Sequence, residues 1–118
     1  MGLWVTSPAL RARERIRWQT AANRAQGGRS VGGRIFLTNQ RLVFEPNRID
    51  SITGGRQWAV PLSAIHEVGF QTRDRNLFSG GLRNRLRLTC ADGDDELIVV
   101  NHLDDVIDVL ETARLAAG

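Results

Sequence analysis

Few side chains in this 118-residue chain could do chemistry. Gly28-Arg29-Ser30-Val31-Gly32 matches the G-x-S-x-G pattern of a serine nucleophile. That chemistry needs a sharp strand-to-helix turn, with an acid and a base further along the chain. Ser30 sits instead in a glycine-rich stretch that leads into a strand pattern, in a chain too short for a hydrolase sheet, so the match is expected to be fortuitous. His66, His102 and Cys90 lack ligand pairs such as C-x₂₋₄-C, and surface or capping roles suit both histidines. Glycines 27–33 lack the G-K-[ST] ending of a phosphate-binding loop, and no helix pattern follows them. No catalytic residue, metal or cofactor is expected.

The segment Arg73–Arg85 is different. Leu77, Phe78 and Leu82 lie near a turn, with Arg73 and Arg75 on one side and Arg83 and Arg85 on the other. An apolar tip inside a cationic collar suits insertion at an anionic lipid surface. It suits a protein contact equally, and it suits a loop folded back over one end of the domain. The residues alone leave all three open.

Composition limits what could carry such a site. With 42% hydrophobic and 25% charged residues the chain fits one soluble globular domain, 1–118. No apolar run approaches the ~18–20 residues of a membrane-spanning helix, and no signal-peptide layout opens the sequence. The single cysteine excludes an internal disulfide and fits a reducing compartment, so a cytoplasmic location is expected, with peripheral attachment to a membrane open. The pI of 10.8 reflects the lack of Lys and Tyr, since the net charge is only +3. Position matters more. Residues 1–34 carry seven Arg against Glu14, residues 35–91 eight Arg against four acids, and residues 92–118 Arg114 against eight acids. Such asymmetry is either a steering field or a surface neutralised internally. Nucleic acid is not the expected partner, because neither an exposed aromatic platform nor a large positive charge is present.

The elements that must position these residues follow from periodicity. Residues 1–13 read as an N-terminal extension or a short helix capped at Ser7-Pro8. Ile16 and Trp18 alternate with Arg15 and Arg17 as a first strand. Residues 24–33, with four glycines, read as a flexible loop. Ile35 and Leu37 alternate with Arg34, Phe36 and Thr38; Asn39-Gln40 marks a turn, and Leu42–Phe44 continue to Pro46. Trp58 and Val60, then Val68 and Phe70, mark two more strands. Asp92-Gly93 as a two-residue turn would place Leu88 opposite Leu97 and Leu86 opposite Val99. From about His102 to residue 116, Leu103, Val106, Ile107, Leu110 and Ala113 form one apolar stripe. Seven strands and one closing helix result. Trp18, Trp58 and Cys90 have the parity of core residues.

Gly33-Arg34-Ile35-Phe36-Leu37-Thr38-Asn39-Gln40-Arg41-Leu42-Val43-Phe44 resembles the GRAM domain family, in which a leucine-threonine-asparagine turn leads into an arginine and an apolar strand. Val60-Pro61-Leu62-Ser63-Ala64-Ile65 is similar to a second signature of that family. Ala64 and Leu97 depart from its usual residues. The resemblance, over roughly residues 16–116, implies a mainly β, pleckstrin-homology-like fold: a seven-stranded, two-sheet, partly open barrel capped by a C-terminal amphipathic helix. It also implies a non-catalytic module that docks to anionic lipid head groups or to a partner protein. By position in such a fold, Arg24, Arg29 and Arg34 are candidates for a head-group site, or else solvated arginines around a loop. Arg41 is expected to be structural, its guanidinium satisfying turn carbonyls. A self-associating interaction domain, its basic middle meeting its acidic C-terminal part, is the competing expectation.

Overall fold

Antiparallel pairing organises nearly everything in the computed structural model, which describes residues 7–72, 84–93 and 95–117. The strands are β1 (Ile16–Gln26), β2 (Arg29–Thr38), β3 (Arg41–Pro46), β4 (Trp58–Pro61), β5 (Ile65–Gln71), β6 (Arg85–Cys90) and β7 (Asp95–Val100). A short helix α1 (Arg48–Ile52) lies between β3 and β4, a 3₁₀ turn (Leu62–Ala64) precedes β5, and α2 (Leu103–Ala117) closes the chain. The sheet order β4-β3-β2-β1-β7-β6-β5 leaves β4 and β5 as free edges, so the barrel is partly open. β1 joins the two halves: it pairs with β2 along its whole length but with β7 only at residues 22–24.

The alternation read from the sequence becomes the core. Ala22, Ile35, Leu42 and Phe44 meet Leu86, Leu88, Ile98 and Val100 across the barrel, with Val106 and Leu110 of α2 packed among them. The helix stripe is as expected, with Leu103, Ile107 and Ala113 partly buried beside it and Val109 added. The tryptophans Trp18 and Trp58 pack on the core partly buried, and Cys90 is buried. Phe36 and Val43 point to the opposite face of the sheet and are nevertheless only 2% and 0% exposed. The N-terminal segment runs beside that face, where Pro8 is buried and the Ala9 carbonyl accepts a hydrogen bond from Arg41. Residues 7–13 contain no helix; they form an extended segment with a turn at Ala12-Arg13.

Two expectations are corrected. Residues 24–33 are mostly strand, because β1 runs to Gln26 and β2 starts at Arg29, with only Gly27-Gly28 between them. The later glycines serve close approach: a Cβ on Gly33 would sit 2.1 Å from the Glu45 carbonyl oxygen. The β6–β7 register is offset by one residue, setting Leu86 against Ile98 and Leu88 against Glu96. Gly93 donates its N–H to the Cys90 carbonyl at 2.9 Å with φ +89°, closing a turn that ends in a left-handed glycine. A hairpin loop of this kind is one residue longer than the two-residue form. Ile98 and Val100 therefore join the core in place of Leu97 and Val99.

Candidate functional site

The motif around Asn39 builds a buried anchor. Arg41 is 8% exposed and Glu14 5%. The Arg41 Nε donates to Glu14 Oε2 at 2.8 Å, and Thr38 Oγ1 donates to the same oxygen at 2.6 Å. The arginine thus bonds a carboxylate and the Ala9 carbonyl, not the turn carbonyls expected for it. Asn39 and Gln40 donate side-chain N–H groups to the Arg13 and Ala12 carbonyls, completing the clasp on the N-terminal segment. The Arg41 hydrogen bonds pull the Glu14 pKa down to about 2 against the cost of burial, with Thr38 adding to the effect. Glu14 in turn holds the Arg41 pKa above its ordinary value. Glu14 was legible only as the lone acid among seven arginines. This is structural chemistry, since both charges are satisfied internally.

The three arginines singled out near the first hairpin do not converge. Arg24 Nε lies 2.8 Å from Glu96 Oε1, and its guanidinium sits 5.4 Å from the centre of the Trp58 ring. Arg29 donates to the Thr53 carbonyl at 2.6 Å and to Asp50 Oδ1 at 3.3 Å. Arg34 leaves the other face of β2 and donates to Gln19 at 2.9 Å. Arg24 and Arg29 therefore tie β1, β2, β4, β7 and the β3–β4 connection into one rim. Their charges are largely answered by Glu96 and Asp50.

Arg85 is 2% exposed at the start of β6, with Nη2 3.4 Å from the Thr72 carbonyl, so it does not stand in a solvent-facing collar. Arg73, Arg75, Arg83, Leu77, Phe78 and Leu82 lie outside the described residues. Ser30 sits within β2, paired with Ala25, a context unlike a strand-to-helix turn.

Two surface features were not anticipated. The first is α1, whose Ile49 and Ile52 are 60% and 81% exposed. The sequence between Pro46 and Trp58 is polar or glycine apart from these two isoleucines and marks no element. The second is a groove of about 520 Å³ between the start of β1, the end of β2 and the C-terminal half of α2. Trp18, Leu37, Leu62, Val109 and Ala113 line it, with Asn39 at its margin.

An open seven-stranded antiparallel sheet with a C-terminal helix packed on β5, β6 and the 3₁₀ turn defines a pleckstrin-homology-like domain. The GRAM domain family matches residues 10–89, more than half of the chain, and the chain belongs to that family. Its fold is similar to the C-terminal domain of an unknown protein from Leishmania infantum, with TM-score 0.68 and 14% identity over 88% of this chain and 87% of that one. It is also similar to the hSac2 domain of the human phosphoinositide phosphatase Sac2, with TM-score 0.67 and 14% identity over 92% of this chain and 75% of that one. No curated protein matches the sequence. Among the described residues no helix is long and apolar enough to cross a membrane.

Proposed function

We propose that this GRAM domain is a non-catalytic binding module that docks reversibly to an anionic lipid surface. Charge segregation carries the reading. Fifteen of the sixteen arginines precede residue 92, and residues 92–118 hold eight acids, four of them on α2. Asp104, Asp105 and Asp108 are exposed and form no ion pair among the described residues, while Glu111 pairs with Arg114 on its own helix. Of the two senses such an asymmetry can have, this favours an external field over internal neutralisation. The family supports the class of function, since GRAM domains are often lipid- or protein-binding modules. A structural neighbour that is part of a phosphoinositide phosphatase agrees with it. Arg73, Arg75 and Arg83, with Leu77, Phe78 and Leu82, belong to the proposal as additional contacts.

Co-sedimentation tests it. The protein should pellet with phosphatidylserine-containing vesicles and not with pure phosphatidylcholine, and salt should weaken binding as the Debye length shrinks below about 8–10 Å. Equal, negligible pelleting with both vesicle types overturns the lipid reading. The groove favours a second reading, in which an apolar segment of a partner protein, or of a second copy, lies against Trp18 and α2. Light scattering that reports a dimer would select the second copy.

A further inference from the structure

Helix α1 has no buried residue, yet the fold holds it firmly. Asn47 caps it, accepting the Asp50 N–H at 2.7 Å, and the Asn47 N–H donates to the Gly32 carbonyl at 2.9 Å. Asp50 turns inward, its Oδ2 accepting the Gly32 N–H at 3.0 Å and its Oδ1 facing Arg29 at 3.3 Å. Gly55 N–H donates to the Asp50 carbonyl, and a Cβ on Gly55 would lie 2.6 Å from that oxygen. These contacts fix the helix from its polar side. They leave the opposite side to Ile49 and Ile52, three residues apart and therefore on one face. Core packing needs neither isoleucine.

From this we infer that α1 is an apolar wedge that enters the interfacial region of an anionic bilayer, resting on the lipid-docking reading above. The partner is assigned by charge. Arg48, one turn before Ile52, and Arg56, just beyond the helix, are exposed and form no ion pair among the described residues. The helix's one acid, Asp50, is turned away and matched by Arg29. Two aliphatic side chains on a protruding turn, with unmatched cations beside them, complement a negatively charged surface with an apolar layer beneath it. Because Arg24 and Arg29 are already engaged, the wedge needs no stereospecific head-group pocket.

The test uses phosphatidylserine–phosphatidylcholine vesicles and two kinds of variant. Ile49→Ser with Ile52→Ser should lower partitioning roughly tenfold or more at both low and high salt, because loss of apolar insertion is not screened. Its melting temperature should match that of the parent, since α1 contributes nothing to the core. Arg48→Ala with Arg56→Ala should weaken binding at low salt only. Independently, an environment-sensitive dye on Ile52→Cys should shift to the blue when vesicles are added; Cys90 is buried and does not compete for it. Parent protein that pellets as well as the isoleucine double variant does, or a dye that does not shift while the protein pellets, overturns the wedge and leaves lipid docking intact. A parent that does not pellet at all removes both. A lowered melting temperature in the double variant would show the isoleucines to be structural and overturn the wedge.

Discussion

Glu14 and Arg41 show how a residue-scale reading can be right about role and wrong about partner. The motif marks Arg41 as structural, but its bonds go to a residue 27 positions earlier, which alternation cannot reveal. Glu14→Gln would leave the Arg41 charge buried without its counter-charge, and breaking a buried pair in this way costs roughly 3–5 kcal/mol. Chemical denaturation of the variant should show that loss at neutral pH. The pH dependence has a definite sign. The folded-state pKa of Glu14 is about 2, below its ordinary 4.5, so its contribution is complete above about pH 5 and is lost as pH falls through about 2. Stability measured from pH 5 to pH 2 should therefore fall more steeply in the parent than in Glu14→Gln.

At the scale of elements, α2 plugs the barrel. Leu110 is fully buried, and Leu110→Ala should cost roughly 2–5 kcal/mol, read from the denaturation midpoint. Deleting residues 102–118 should abolish cooperative melting. The helix and most strands were legible because each has its own period, and β3 from its apolar run ended by Pro46. The β6–β7 register was not, since Asp92-Gly93 serves a two-residue turn and a longer one equally well. The first hairpin was obscured for a related reason: Gly33 looks like flexibility but makes room for the Glu45 and Pro46 backbone, and Gly32 for the side chains of Asn47 and Asp50. α1 escaped notice because five residues are too few to show a helical period. Among the candidate binding elements, the segment between β5 and β6 has its own test. Arg75→Ala with Arg83→Ala should weaken vesicle binding most at low salt, and Phe78→Ser at every salt. A fall in melting temperature in Phe78→Ser without vesicle binding would assign that segment to covering the barrel.

At the scale of the whole molecule, β2 links the two surface features. Near its start that strand supports α1 through Gly32, and at its other end Leu37, Thr38 and Asn39 border the groove under α2. About five residues separate the two places, roughly 17 Å at 3.3–3.4 Å per residue. An anionic surface held by α1 should leave the groove end of the molecule in water. A dye on Leu115→Cys, an exposed position of α2, should accordingly keep its aqueous emission on vesicles that shift the same dye on Ile52→Cys. The separation also gives the protein two built-in optical probes. With no tyrosine, its near-ultraviolet emission comes from three indoles, of which Trp58 stands beneath Arg24 at the rim and Trp18 lines the groove. In a Trp4→Phe background, Trp18→Phe leaves an emitter that reports on the rim, and Trp58→Phe leaves one that reports on the groove. Titrating both variants with vesicles or with a protein partner should locate the occupied end by the colour of the light alone, without an attached label.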